Sequence, residues 1–177
     1  MAENPPAFVL KWGSLGQASG QFDEARSVAY DAVRGHVYVT ERWNARMQKF
    51  SITGAHLATM SFAGPQGCAV HGLGNCYVMD TAANLVKKYN ASGAFVTQWG
   101  SAGAGNGQFS SPNGIAVDGI GNVYVADTWN YRIQKFTSNG TFVTKWGSQG
   151  TGQNQFAFPR GVAADEQGTV YVIDTTG

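Results

Sequence analysis

Two trios of side chains at one spacing are the first features of the sequence that could do chemistry: Asp127, Asn130 and Arg132 recur as Glu41, Asn44 and Arg46. A carboxylate, an amide and a guanidinium held together could shuttle a proton or clamp an anion. Their repetition argues for another use, because a reaction centre needs one constellation and not a copy in each unit. A carboxylate that closes one strand and an arginine that opens the next are placed to pin the corner between them by a charge-assisted bidentate pair. The run GAGNG at Gly103 to Gly107 could cradle a phosphate only between a buried strand and a helix N-terminus. The segment QFSSPNGIAVD follows it instead, so it is read as a connection between units. His36, His56 and His71 fall at a turn, an outer strand and the end of an inner strand, so they are not expected to converge as zinc ligands must. Neither a Gly-x-Ser-x-Gly elbow nor a His-Glu-x-x-His pair occurs. No catalytic residue, metal site or cofactor is expected.

The elements that hold these groups are copied too. GHVYVTE at Gly35, GNCYVMD at Gly74, GNVYVAD at Gly121 and GTVYVID at Gly168 share one pattern, and Val78, Val125 and Val172 stand 47 residues apart. Val39 to Val78 is shorter, 39 residues, because the stretch after Met60 lacks most of a glycine-rich loop. Within one unit GIAVD (114–118) and NVYVAD (122–127) are short β-branched runs around a glycine turn, RIQKF (132–136) alternates apolar and polar, and TFVTKWG (141–147) follows the turn TSNG. Each unit is a four-stranded antiparallel meander, apolar on its first two strands and wetter outward. So small a sheet cannot bury both faces alone, and repeated sheets of this length pack radially into a β-propeller. A helical solenoid has no matching period, and a single sandwich leaves the fixed interval unexplained.

The third unit, GQFSSPNGIAVDGIGNVYVADTWNYRIQKFTSNGTFVTKWG, resembles the NHL repeat, with its Pro-x-Gly-Ile-Ala-Val-Asp opening, Val-Tyr-Val-x-Asp strand and Asn-x-Arg-Ile-Gln-x-Phe strand. The likeness runs from Phe8 to Gly177 and departs from the pattern in the second unit, where Leu85 replaces the arginine and His71 the opening aspartate. The resemblance implies an all-β propeller that acts mostly as a docking surface, usually in a closed ring of six blades. Here the strands make blades over about 26–63, 66–100 and 113–147, a partial blade over about 160–177, and an orphan outer strand at 7–13. The expectation is one domain, an incomplete or open arc of about four blades cut from a longer propeller. Its exposed end faces would favour self-association.

Length and composition agree with this reading. At 177 residues with 24 glycines and 13% charged residues the chain suits one turn-dense β domain. A net charge of +1 supplies no bulk field for nucleic acid or an anionic membrane. No stretch approaches membrane-spanning length, and MAENPPAFVL lacks the features of a signal peptide, which favours a cytoplasmic location. Pairing the strands about the turn GLG sets Cys68 opposite Val78 and Cys76 opposite Val70, so the sulfurs lie diagonally and are expected to be buried free thiols. The sequons at Asn90 and Asn139 lie on equivalent turns, and turn chemistry suffices to explain them.

Recognition is expected where residues vary while the framework repeats. Between the proline and glycine of each first-strand opening stand Arg26, Gln66, Asn113 and Arg160, with Ala25 and Ser27 replacing the flanking pair in the first unit. Antiparallel connectivity puts these openings on the same face as the second-to-third-strand corners, which carry Arg42, Trp43, Trp129 and Tyr131. The two tryptophans have two uses open to them: covering the shoulder of the neighbouring blade, or supplying the aromatic contact area of a binding hot spot. The expected ligand is a protein or peptide, given mixed arginine, aromatic and amide groups. Single-stranded RNA is the second reading, since some NHL propellers bind it on this face and stacking would serve. A metal-dependent lyase-like enzyme is the third.

Overall fold

Glycine turns and β-branched runs divide the chain into fourteen strands in the computed structural model, which describes residues 8–175. Strands β1 (Ala25–Asp31), β2 (His36–Glu41), β3 (Arg46–Ser51) and β4 (His56–Ser61) form the first sheet. The second holds β5 (Pro65–Val70), β6 (Cys76–Asp80), β7 (Leu85–Tyr89) and β8 (Phe95–Trp99), and the third β9 (Ile115–Val117), β10 (Val123–Asp127), β11 (Arg132–Phe136) and β12 (Phe142–Trp146). β13 (Pro159–Ala164) and β14 (Val170–Asp174) make a two-stranded fourth. Every pairing is antiparallel between consecutive strands. The four sheets are propeller blades in an open arc. Among the described residues no helix is long and apolar enough to cross a membrane.

The first strands lie innermost, because residues of β1, β5 and β13 together with Asn113, Gly114 and Ile115 surround one cavity. The tight turn from first to second strand is closed by an aspartate in the first, third and fourth blades, Asp31, Asp118 and Asp165, and by His71 in the second. Asp118 accepts hydrogen bonds from the Ile120 and Asn122 backbone N–H groups at 3.2 and 2.8 Å and from the Tyr124 hydroxyl at 2.9 Å. Gly121 supplies the positive φ of 90° that lets the chain reverse there. The second strands β6 and β10 are buried at every residue, since a neighbouring sheet covers each face. Of the fourth strands, β4 alternates with solvent, and β8 and β12 are buried at no residue.

Three apolar layers join the blades. Tyr38, Met47 and Phe62 of the first meet Cys68, Cys76 and Val78 of the second. Tyr77, Met79 and Val86 of the second meet Ile115, Val123, Val125 and Phe136 of the third. Tyr124, Ala126 and Ile133 of the third meet Val162, Val170 and Val172 of the fourth. Near the axis the first strands approach so closely that only glycine fits. A Cβ on Gly114 would stand 2.4 Å from the Arg160 carbonyl oxygen and 3.0 Å from the Val162 nitrogen, both backbone atoms that cannot swing aside. Gly114→Ala is expected to push the third and fourth blades apart at a cost of about 1–3 kcal/mol. Urea unfolding monitored by tryptophan fluorescence measures it, and an unchanged midpoint would show that the axis has slack.

Three local expectations meet definite outcomes. Cys68 pairs with Val78 and Cys76 with Val70, and both thiols are free and buried. Burial pushes the Cys68 thiol up to about 12 and raises Cys76 well above its ordinary value, so neither is nucleophilic at neutral pH. The expected outer strand at 7–13 is not a strand over residues 8–13; Ala7 lies outside the described residues, as do Thr176 and Gly177 of the expected fourth blade. Residues 8–13 have no neighbouring strand to hydrogen-bond with among the described residues. Trp12 is anchored by its ring alone, 6.0 Å from Phe50 and against Gly54.

Candidate functional site

The corners between second and third strands show what the repeated carboxylate, amide and guanidinium do. After β10 the chain makes one 3-10 turn, Thr128–Asn130, and leaves it through Tyr131 at φ 55°, a left-handed conformation for a non-glycine residue. This aims Asn130 and Arg132 at the same buried carboxylate. Asp127 accepts hydrogen bonds from the Ser110 N–H at 2.8 Å, Asn130 Nδ2 at 2.9 Å, Arg132 Nε at 2.8 Å and Gln134 Nε2 at 3.0 Å. In this blade the expected bidentate pair does not form. Arg132 gives only Nε to Asp127 and turns its two terminal nitrogens to the carbonyls of Ala104, Gly105 and Gln108, at 2.8 to 3.0 Å. The guanidinium thereby staples the glycine-rich connection to the corner.

The first blade repeats this arrangement with one difference. Here the expected bidentate pair does form: Arg46 Nε bonds Glu41 Oε2 at 2.8 Å and Nη2 bonds Oε1 at 3.4 Å, while the terminal nitrogens also reach the carbonyls of Gln17, Ala18 and Gln21. Burial pushes the Glu41 carboxyl up, but hydrogen bonds from Arg46, Asn44, Gln48 and the Asp23 N–H outweigh it and hold the group below its ordinary value. The second blade has no such connection, since residues 62–64 pass directly from β4 to β5. There the Ala63 and Gly64 N–H groups bond Asp80 at 3.1 and 2.8 Å, and Lys87 supplies the positive charge at 2.8 Å. Glu41, Asp80 and Asp127 are fully buried as well as held by these framework donors, so none is presented to a substrate.

The first-strand openings do converge. Arg26, Gln66, Asn113 and Arg160 line one concavity of about 210 Å³, with Ser27, Gly67, Gly114 and Gly161 as its backbone floor. Arg26 is ion-paired with Glu24. Arg160 is exposed, and no ion pair among the described residues includes it. The other four expected residues do not line this concavity but stand at the corners around it. Arg42 lies 5.7 Å from the centre of the Trp43 ring, and Trp43 is 68% exposed. Trp129 and Tyr131 instead clasp Phe158, with ring centres at 5.6 and 5.7 Å. Trp129 thus covers the fourth blade's shoulder and still shows 57% of its surface, whereas Trp43 stands free apart from its own arginine.

Two features escaped sequence reasoning. Gln134 and its counterpart Gln48 are fully buried members of the corner network, and the signal was present in the shared glutamine of RIQKF and RMQKF. Phe158 is the other; nothing in FAFPR marks the middle residue as a partner for the preceding corner. At the opposite mouth a larger hollow of about 610 Å³ is lined by the first-to-second-strand turns, including His71, Asp118, Asp165 and Glu166. Burial raises the Asp118 carboxyl, but hydrogen bonds from Asn122, Tyr124 and the Ile120 N–H overcome it and hold the group low. His71 Nε2 is engaged with the Gly119 carbonyl at 3.2 Å. Among the described residues no three histidine, cysteine or carboxylate side chains are grouped closely enough to hold a metal ion.

Comparison with known proteins agrees with this architecture. Residues 22–50 and 109–136 match the NHL repeat. No curated protein matches the chain in sequence. Among solved structures a streptogramin B lyase superposes with a TM-score of 0.66 at 18% identity, covering 85% of this chain and 48% of its own. The Kuenenia stuttgartiensis hydrazine synthase does so at 0.70 and 13%, over 91% and 45%. Virginiamycin B lyase from Staphylococcus aureus gives 0.63 and 12%, over 86% and 56%. The chain spans about half the length of each of these structures. At such identities the likeness is one of fold alone.

Proposed function

We propose that this propeller segment is a non-catalytic scaffold that docks a protein or peptide on the face carrying the first-strand openings. The observation that carries the proposal is the gathering of three residue types at four equivalent positions, Arg26, Gln66, Asn113 and Arg160, around one concavity while the framework beneath them repeats. Framework positions are alike because they do the same structural work in each blade. Positions that share a location and differ in chemistry suit the recognition of a ligand that is itself not repetitive. Arg160, exposed and in no ion pair among the described residues, offers its guanidinium to a carboxylate in the concavity, and Trp43 with Arg42 offers exposed aromatic area at the rim. Two of the similar folds belong to lyases. The repeated carboxylates of this chain are engaged in holding its corners, which supports docking over catalysis here.

A displayed library of random peptides panned on the 177-residue chain tests the reading. Enriched peptides are expected to contain an acidic residue and to lose about tenfold in affinity or more with Arg160→Ala or Trp43→Ala, while Lys145→Ala on the outer strand β12 leaves binding unchanged. Peptides indifferent to both substitutions would refute it. So would an empty selection alongside salt-sensitive binding of a single-stranded RNA pool, which would move the assignment to RNA.

A further inference from the structure

We propose that Cys68, Cys76 and Met47 form a site for a monovalent copper ion in the layer between the first and second blades. The layers themselves supply the contrast. Met47 and Met60 are cross-strand partners on β3 and β4, and Cys68 and Cys76 meet them from the second blade, where they pair with Val78 and Val70. Apart from Met1 and Met79, these four residues hold every sulfur in the chain. In the next layer the same four positions, by strand register, carry Val86, Trp99, Ile115 and Val123. In the last they carry an isoleucine, a tryptophan and two valines. Where the framework needs only apolar bulk at these places, branched and aromatic side chains fill them. Sulfur replaces all four in one layer alone.

The donors select the ion. Cys76 Sγ and Met47 Sδ are 3.9 Å apart, close to the ~4 Å between two sulfurs that share a metal in trigonal geometry at bonds of about 2.3 Å. Cys68 lies diagonally from Cys76 on the same face of the sheet, in the same buried cluster as Met47. Diagonal cross-strand residues stand about 7–8 Å apart at Cα, too far for a disulfide without backbone movement but within the span of two thiolates joined by an ion. Among the described residues no histidine or carboxylate completes a group of three with the cysteines. Two thiolates and a thioether are a soft set, which suits copper(I) better than zinc. Binding exchanges protons for the ion: each thiol releases one to water, and one copper(I) leaves the site with a single negative charge. Burial and the nearby Cys68 hold the Cys76 thiol protonated until the ion arrives, with the Lys49 charge pulling the other way, and a coordinated thiol gives up its proton outright. Lys49 is placed to balance the charge. It is 9% exposed, no ion pair among the described residues includes it, and its Nζ lies 5.6 Å from the centre of the Tyr38 ring in this layer. Met60, half-buried on the outer strand beside Met47, gives the ion a soft donor on its way in.

Titration of the reduced 177-residue chain with the coloured bicinchoninate complex of copper(I), under argon, tests this. The wild type is expected to withdraw one equivalent of copper and to release two protons with it, read in weakly buffered solution. Cys68→Ile and Cys76→Val, which install the residues of the third blade, are each expected to abolish the transfer. Met47→Leu is expected to weaken binding at least about tenfold, since even the loss of an outer partner of a metal ligand costs that much, while Met79→Leu in the adjoining layer leaves it unchanged. X-ray absorption at the copper edge is expected to show sulfur neighbours alone. Circular dichroism and the unfolding midpoint establish that each variant is folded; should a cysteine variant fail, Cys68→Ala or Cys76→Ala replaces it. A wild type that takes no copper from the complex would overturn the proposal, as would folded cysteine variants that still take one equivalent, or nitrogen and oxygen neighbours at the bound metal.

Discussion

Asp127→Ala is expected to remove about 3–5 kcal/mol from the unfolding free energy, the cost of leaving a buried cation without its counter-charge. Asp127 and Gln134 are fully buried, and Arg132 is nearly so. Four donors converge on the carboxylate, from the connection before the blade, from the corner and from β11. Truncation strips all of them at once, and the Arg132 guanidinium is held in place by the carbonyls of Ala104, Gly105 and Gln108, so it cannot swing out to water without undoing the loop. For a chain of this size each kcal/mol moves the melting temperature by about 2–4 °C. Urea titration with linear extrapolation is the measurement. A loss under about 1 kcal/mol would place this corner with ordinary surface ion pairs. The double variant Asp127→Ala with Arg132→Leu is expected to cost clearly less than the sum of the two single changes, since the second removes the stranded charge.

Phe136→Ala is expected to cost about as much, 3–5 kcal/mol, by a different route. Its ring is fully buried and meets Trp99 at 5.9 Å, Phe109 at 5.7 Å and Phe142 at 6.0 Å. Those partners come from the end of the second blade, the connection and the fourth strand of the third blade, so the void opens where three segments meet. None can close it alone, because Trp99 is fixed against Gly140 and Phe109 against Gly100. Thermal unfolding gives the size of the effect, and amide exchange its location. Protection should fall together in β6 and β10, the strands on either side of the layer, and less in β2. Uniform loss in all blades would show that the arc unfolds as one unit.

How far the sequence reveals this molecule depends on which contacts are local. The strands were legible because a run such as Val-Tyr-Val covered on both faces leaves an unbroken apolar signature, and the glycine turns fix its ends. Register followed from turn length, which is why Cys68 falls opposite Val78. The shared location of Arg26, Gln66, Asn113 and Arg160 followed from antiparallel connectivity alone. What stayed hidden depends on the loops. The second bonds of Arg132 go to carbonyls of a connection whose path is set by the positive φ of Gly103 and Gly107 and by the pairing of Ala102 with Phe109; composition announces the glycines but not where their carbonyls point. Phe158 meets Trp129 across a blade boundary, a contact with no periodicity to betray it. Residues 8–13 carry a strand's composition without a strand's neighbour, and a strand is a relation between two segments.

The corner of the second blade has one consequence beyond its own geometry. Where the glycine-rich connection is missing, the arginine that would clasp it is missing too: Leu85 stands in its position, and Lys87 alone balances Asp80. Clasp and connection therefore behave as a cassette, present together ahead of the first and third blades and absent together ahead of the second. A grafted segment of foreign sequence would be accommodated at 62–64 only if position 85 were converted to arginine with it, and the spacing between blades is in that sense written twice along the chain.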